Sequence, residues 1–434
     1  MGFGCGYHRP GHDGSSLQPY RRFDVGHEKP AGGRCWGLPL ANGEAELDGS
    51  KAAPRRNIVI LTSHAFLRGY RKASIHFIAS RWAEQGHEVH FLTIGHSWLT
   101  LLKDRPRFHA LAQDQANRFQ TIDANLSAGA YLPPLHAFSS NNRFLNLANV
   151  ALFPLYGSYL PRFARRVITN ADLVLVESGS ALAFFDQVKT LNSKARTLYF
   201  CRDLLRSIGA APVLRDMEAA QIGRFDAVCV PSERLGALLP PGGRMKVIPQ
   251  GVDADLFDRE QPSPYEPGSR NAVSIGNMLF DQSSVAAMAA AAPDVNFHVF
   301  GAAWSGWVSP NIMIYGERDF ESIVPYLQHA DFGIAPYRLT ADEVYLAESS
   351  LKLAQYSYCG LPILLPDLVP FARANGIPYR LNGEVAWREK IDAALAMQRS
   401  PTFRDGIMTW DEVARQTLAA AFEASSLLSP APGS

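Results

Sequence analysis

The sequence predicts an α/β protein made of two doubly wound parallel-sheet domains that face a cleft. Two observations carry that reading. Short apolar runs of strand length alternate with helical stretches, and a loop-rich segment, Pro262-Ser-Pro-Tyr-Glu-Pro-Gly268, divides the alternation into two series. The 434 residues suffice for two domains with their own cores. With 47% hydrophobic residues and a formal net charge of +1, the composition is that of a soluble globular protein, neither disordered nor generally nucleic-acid-binding.

The first series opens at Arg56. Asn57-Ile-Val-Ile-Leu-Thr62 reads as a strand, Ile75, Ile78 and Trp82 share one face of a helix that stops at Gly86, and Glu88–Ile94 reads as the next strand. Further strands are predicted over Asp172–Glu177, Thr197–Cys201, Ala227–Pro231 and Lys246–Gln250. The second series has strands over Ala272–Ile275, Asn296–Phe300, Ile312–Tyr315, Phe332–Pro336 and Pro362–Leu365. Strands alternating with helices favour parallel sheets covered on both faces, with ligands held at the carboxyl ends of the strands. Thr409-Trp-Asp-Glu412 is a capping box that opens a last helix. The domains are placed at 55–262 and 263–400, with a C-terminal helix and tail over 401–434 that is free to return to the first domain.

Residues 1–54 are rich in Gly, His, Pro and Arg, lack periodicity and carry no apolar signal core, so they are expected to be a disordered extension. The opening Met1-Gly2 does not complete a myristoylation signal, because Gly6 stands where Ser or Thr is needed. The five cysteines form no CxxC pair and none has a histidine at metal-ligand spacing, so a reducing cytoplasm fits and no metal site is expected. No run reaches the ~18 apolar residues of a spanning helix.

The most informative segment is Glu348-Ser-Ser-Leu-Lys-Leu-Ala-Gln-Tyr-Ser-Tyr-Cys-Gly-Leu-Pro-Ile363. A helix start in a cleft offers free backbone N–H groups and a positive dipole end, and Ser349, Ser350 and Lys352 would add two hydroxyl donors and a full charge for a diphosphate. The same residues also suit an ordinary amphipathic helix with an exposed lysine.

This helix, its glycine and the Pro-Ile strand that follows resemble the donor half of the two-Rossmann (GT-B) glycosyltransferases. Gly333-Ile-Ala-Pro-Tyr337, Val344-Tyr-Leu-Ala-Glu-Ser-Ser350 and Lys352-Leu-Ala-Gln-Tyr356 narrow the likeness to the bacterial glucuronosyltransferase of xanthan assembly. Ser263-Pro-Tyr265, Ile275-Gly-Asn-Met-Leu-Phe-Asp281 and Tyr315-Gly-Glu317 add to it, as do Ser63-His64, Ala73-Ser-Ile-His-Phe-Ile78 and Val176-Glu-Ser-Gly179. The likeness runs from Asn57 to Pro366 in the same order. It implies that Tyr337 packs on uracil, that Met278 and Glu317 line the donor pocket, and that Ser350, Leu351, Lys352 and Gln355 surround the diphosphate and sugar. Leu351 replaces the family's methionine, a volume-conserving change. Lys352 would neutralise the departing UDP without a metal, and no cofactor is expected beyond the UDP-sugar substrate.

An inverting transferase also needs a base for the acceptor hydroxyl. The family's aspartate aligns with Asp203 in Tyr199-Phe-Cys-Arg-Asp-Leu-Leu205, with Arg202 and Leu204 where the family has small residues. Asp203 is also placed to cap a following helix, and Arg202 would lower its pKa if the two side chains met. Glu177 is the competing carboxylate, read with His64 as an acceptor contact; His76 reads as a satisfied, partly buried histidine. The likeness implies a lipid-linked oligosaccharide acceptor and a peripheral position on the cytoplasmic side of the inner membrane. Two stretches could supply the contact, Trp98–Arg107 and Phe144–Arg166, each mixing apolar and basic residues. A transferase with another donor sugar, a UDP-sugar epimerase of the same architecture and a non-catalytic sugar-nucleotide-binding partner remain as rival readings.

Overall fold

A computed structural model describes residues 54–67, 72–98, 100, 105–139, 143–340, 343–381 and 383–423. The expected N-terminal extension, 1–53, lies outside them.

The first sheet has eight strands: β1 (Asn57–Thr62), β2 (Glu88–Thr93), β3 (Phe119–Asp123), β4 (Leu126–Ala130), β5 (Leu173–Glu177), β6 (Arg196–Phe200), β7 (Ala227–Val230) and β8 (Met245–Val247). Their order is β3-β4-β2-β1-β5-β6-β7-β8. The second has six: β9 (Arg270–Ile275), β10 (Val295–Phe300), β11 (Ile312–Gly316), β12 (Phe332–Ile334), β13 (Ile363–Pro366) and β14 (Gly376–Tyr379), ordered β11-β10-β9-β12-β13-β14. This is the predicted pair of doubly wound sheets.

The strands read as unbroken apolar runs because both faces are buried. Along β1, Ile58 and Ile60 belong to one apolar cluster while Val59 and Leu61 belong to the cluster on the opposite face. Leu173 and Leu175 of β5 follow the first pair, Val174 and Val176 the second. The sheet is not wholly parallel: β3 runs antiparallel to β4 through a two-residue turn at Ala124-Asn125. Its sequence, Phe-Gln-Thr-Ile-Asp, lacks the apolar run because an edge strand needs burial on fewer sides. The last strand, β14, is also an edge, which is where Pro378 is tolerated.

The last helix, Trp410–Phe422, leaves the second half and packs on the first sheet. Trp410 stacks on Phe77 with centroids 4.9 Å apart, and Trp82 Nε1 donates to the Ala414 carbonyl at 2.8 Å. The two chain crossings between the halves pair with each other: Val252 N–H donates to Met408 O and Trp410 N–H to Val252 O. Gly251 fits there because a Cβ would lie 2.9 Å from Trp410 N. The predicted capping box is formed, with Glu412 N–H donating to Thr409 Oγ1 at 3.3 Å and Thr409 N–H to Glu412 Oε2 at 2.7 Å. Thr409→Ala is expected to destabilise the protein by about 1 kcal/mol, read as a lower denaturant midpoint with an unchanged slope.

Candidate active site

In doubly wound sheets a ligand binds where neighbouring strands send their connections to opposite faces. In the first sheet that point lies between β1 and β5, and in the second between β9 and β12. Thr62 ends β1 and Glu177 ends β5, so the first switch point carries both. Thr62 Oγ1 donates to Glu177 Oε2, and His64 Nε2 lies 3.6 Å from Glu177 Oε1. Burial raises the Glu177 carboxyl to about 7; the Thr62 bond opposes this and nearby Asp203 reinforces it. His64 is half-exposed, and burial together with Arg107 keeps its pKa below the ordinary value. His76 is a structural residue. Its Nδ1 accepts from Ala73 N–H at 2.9 Å and its Nε2 faces Ala65 O at 3.1 Å, so it closes the start of the helix Ser74–Glu84.

Asp203 lies three residues beyond β6, at the same edge. It caps no helix: the next begins at Pro212, after Ala211. Burial raises its pKa, with Arg202 and His64 pulling the other way through space. Arg202 acts on it without a hydrogen bond between the two. Arg202 shares the Phe200 side of the chain, lies 4.1 Å over that ring, and donates from Nη1 to Ile248 O at 2.7 Å.

The second switch point gathers the expected donor residues. Met278 follows β9 closely and is exposed, Glu317 follows β11 and is exposed, and Tyr337 stands three residues beyond β12. Glycines with left-handed backbone, Gly276, Gly301 and Gly316, turn three adjacent strand ends and keep this edge low. The helix Leu351–Tyr358 starts here, after Ser350 in extended backbone with no side-chain cap bond. Its first-turn N–H groups therefore lack a side-chain partner.

Lys352 and Gln355 point inward. Lys352 Nζ has no hydrogen-bond partner, lies 4.8 Å over the Tyr337 ring, and is lowered by burial to about 7. Tyr337 is only 1% exposed and donates its hydroxyl to Ser350 Oγ at 2.6 Å. With its ring enclosed and Lys352 over one face, it offers no open face for uracil, contrary to expectation. It instead holds Ser350 and Lys352 together.

The two halves meet through a contact that sequence reasoning missed. Tyr345, from the short helix Val344–Glu348, is buried in the first half's core, and its hydroxyl donates to Ser207 Oγ at 2.5 Å. Arg234 and Glu348 form an ion pair at 3.4 Å, and Leu351 packs on the cluster that contains Phe200 and Ile248. A cleft of about 440 Å³ opens alongside, lined by Pro231 and Gln250 from the first half and Ser349, Ser350 and Leu353 from the second. Tyr345 lies within a quoted motif, but nothing in its spacing shows that its hydroxyl crosses to Ser207.

Two doubly wound halves of this kind, joined beside a cleft, make up the GT-B architecture of glycosyltransferases. A glycosyltransferase from Rickettsia africae has the same fold, with a TM-score of 0.52 at 14% identity over 84% of this chain and 98% of that one. A UDP-forming α,α-trehalose-phosphate synthase from Burkholderia xenovorans gives 0.57 at 10% identity over 84% and 98%. Residues 60–231 match the family described as "Glucuronosyltransferase GumK, N-terminal domain". The UDP-glucuronate:glycolipid 2-beta-glucuronosyltransferase of Xanthomonas campestris pv. campestris is 32% identical over 330 residues, covering 74% of this chain and 80% of that protein. The chain belongs to the GumK glucuronosyltransferase family.

Proposed function

We propose that this chain transfers glucuronate from UDP-glucuronate to an oligosaccharide carried on a polyprenyl diphosphate, by an inverting, metal-independent reaction at the cytoplasmic face of a membrane during exopolysaccharide assembly. The observation that carries this reading is the buried, unpartnered Lys352 nitrogen at the start of the second half's helix Leu351–Tyr358, with the Asp203 carboxylate at the carboxyl edge of the first half as the candidate base. Asp203 takes the proton of the acceptor hydroxyl as oxygen bonds to the anomeric carbon. The bond to the diphosphate breaks on the opposite face, and Lys352 with the first-turn N–H groups takes up the charge that leaves with UDP. The relative's activity on UDP-glucuronate and a glycolipid supports the donor and acceptor classes. Incubating the protein with a panel of labelled UDP-sugars and membrane lipid tests this. Label from UDP-glucuronate is expected in the lipid fraction, and its absence there overturns the reading.

The surface supports the lipid acceptor. Among the described residues no helix is long and apolar enough to cross a membrane. Yet the helix Arg143–Gly157 turns Phe144, Leu147 and Leu155 outward, 85%, 74% and 69% exposed, while Phe153 and Tyr156 pack inward. Arg162, Arg165 and Arg166 are exposed on the next helix. An apolar face beside basic side chains suits shallow insertion into anionic lipid. The protein is expected to bind anionic vesicles at low salt and to be partly released at high salt. Leu147→Glu and Leu155→Glu should each reduce vesicle partitioning roughly tenfold or more. Sedimentation with vesicles checks this, and no binding at low salt favours an epimerase, which needs no membrane.

A further inference from the structure

Among the described residues, the buried cationic nitrogens without a hydrogen-bond partner belong to Arg202 and Lys352 alone. Lys352 has its place beside the diphosphate; Arg202 has none in the reaction above. The residue is only 8% exposed, and its Nε and Nη2 are buried. Nη1 is spent on Ile248 O, which leaves Nε and Nη2 unpaired. Those two N–H groups point the same way and form one edge of the planar group, the fork that matches the two oxygens of a carboxylate.

Burial lowers the guanidinium to about 10, and the carboxylates of Glu177 and Asp203 act on it only through space. A charge held this way is costly unless an anion meets it. The position is also telling. Arg202 precedes Asp203, its ring partner Phe200 lies in the cluster on which Leu351 packs, and Ile248 leads into Pro249 and Gln250 at the cleft wall. Arg202 therefore lies close enough to the base to act on it through space, and through Phe200 and Ile248 it adjoins the apolar cluster on which Leu351, at the start of the donor helix, packs. Arg206 and Arg338 fit a sugar carboxylate less well: Arg206 is exposed, and Arg338 is exposed and already paired with Asp281 at 3.4 Å.

We propose that the free edge of Arg202 receives the carboxylate of the donor's uronic acid and so selects UDP-glucuronate over neutral UDP-sugars. This rests on the reading of the chain as a UDP-sugar transferase. Arg202 forms no covalent bond; it holds the sugar by two parallel hydrogen bonds.

The test is equilibrium binding by calorimetry of UDP, UDP-glucose and UDP-glucuronate to the full chain and to Arg202→Lys and Arg202→Met. Wild type is expected to prefer UDP-glucuronate to UDP-glucose. Lysine keeps the charge but loses the fork, so the preference should fall roughly tenfold or more, while UDP and UDP-glucose bind within about twofold of wild type. Arg202→Met removes the charge as well and should abolish the preference; thermal unfolding of both variants verifies that they are folded. A preference unchanged in Arg202→Lys and Arg202→Met overturns the inference and leaves Arg202 as a tether for Ile248. An effect confined to acceptor turnover, with donor preference intact, overturns the donor assignment too. Failure of the wild type to bind any uridine diphosphate compound strikes instead at the transferase reading beneath it.

Discussion

Asp203→Asn is expected to lower glycosyl transfer by about 10²–10⁴-fold, the usual share of a positioned proton acceptor, while leaving the fold and UDP binding intact. Asparagine keeps the shape of the side chain and removes its basicity. The residues proposed to hold the donor sit on the other half, so UDP affinity should not move. Burial raises the Asp203 pKa, and this favours a base, because a more basic carboxylate takes a proton more readily. The group must be ionised to act, so wild-type transfer is expected to fall as pH drops through that raised pKa. Glu177, raised to about 7 with Asp203 acting on it through space, shares the acid limb, so that limb belongs to the pair. Initial rates with labelled donor, alongside UDP calorimetry, check both halves of the expectation. Near-normal transfer by Asp203→Asn would move the role to Glu177.

Lys352→Met is expected to weaken UDP binding by roughly 10- to 100-fold, the loss of charge-assisted hydrogen bonds of about 1.5–3 kcal/mol. The buried ammonium makes a second, sharper expectation. Its folded-state pKa is about 7 against an ordinary 10.5, so between those values the unfolded chain binds more protons than the folded one. Stability from this group therefore rises with pH across that window, and the full cost of burying the charge is felt below it. An anion at Nζ reverses the shift. UDP binding at pH 8–9 should draw a proton from solution, visible as a dependence of binding enthalpy on the buffer's ionisation enthalpy. In Lys352→Met that dependence should vanish. Unchanged affinity and unchanged proton uptake would remove Lys352 from the site.

The strands that carry the site were legible because they are buried on both faces. β1 and β5 show as plain apolar runs, and their ends place Thr62 and Glu177 correctly. The edge strands β3 and β14 were not, since their polar or proline-bearing sequences carry no such signal. Family likeness gathered Ser350, Lys352 and Tyr337 into one place, but it did not show that the Tyr337 ring would be enclosed. Sequence adjacency did not show how Arg202 would act on Asp203. Arg202 lies over the Phe200 ring and spends Nη1 on Ile248 O, so it acts on Asp203 only through space. Placement of this kind is fixed by packing, not by composition.

The return of the helix Trp410–Phe422 makes the second half, in topological terms, an insertion between two parts of the first. A fragment ending at the loop-rich segment would keep all eight strands of the first sheet and still lack one wall of its core, leaving Ile75, Ile78 and Trp82 uncovered. The outgoing and returning chains also run side by side at Val252 and Thr409, hydrogen-bonded to each other. Any swing of one half against the other thus turns on a double rail. Two tethers held in register resist twisting more than a single linker does, and the Tyr345–Ser207 bond adds a third point of contact between the halves.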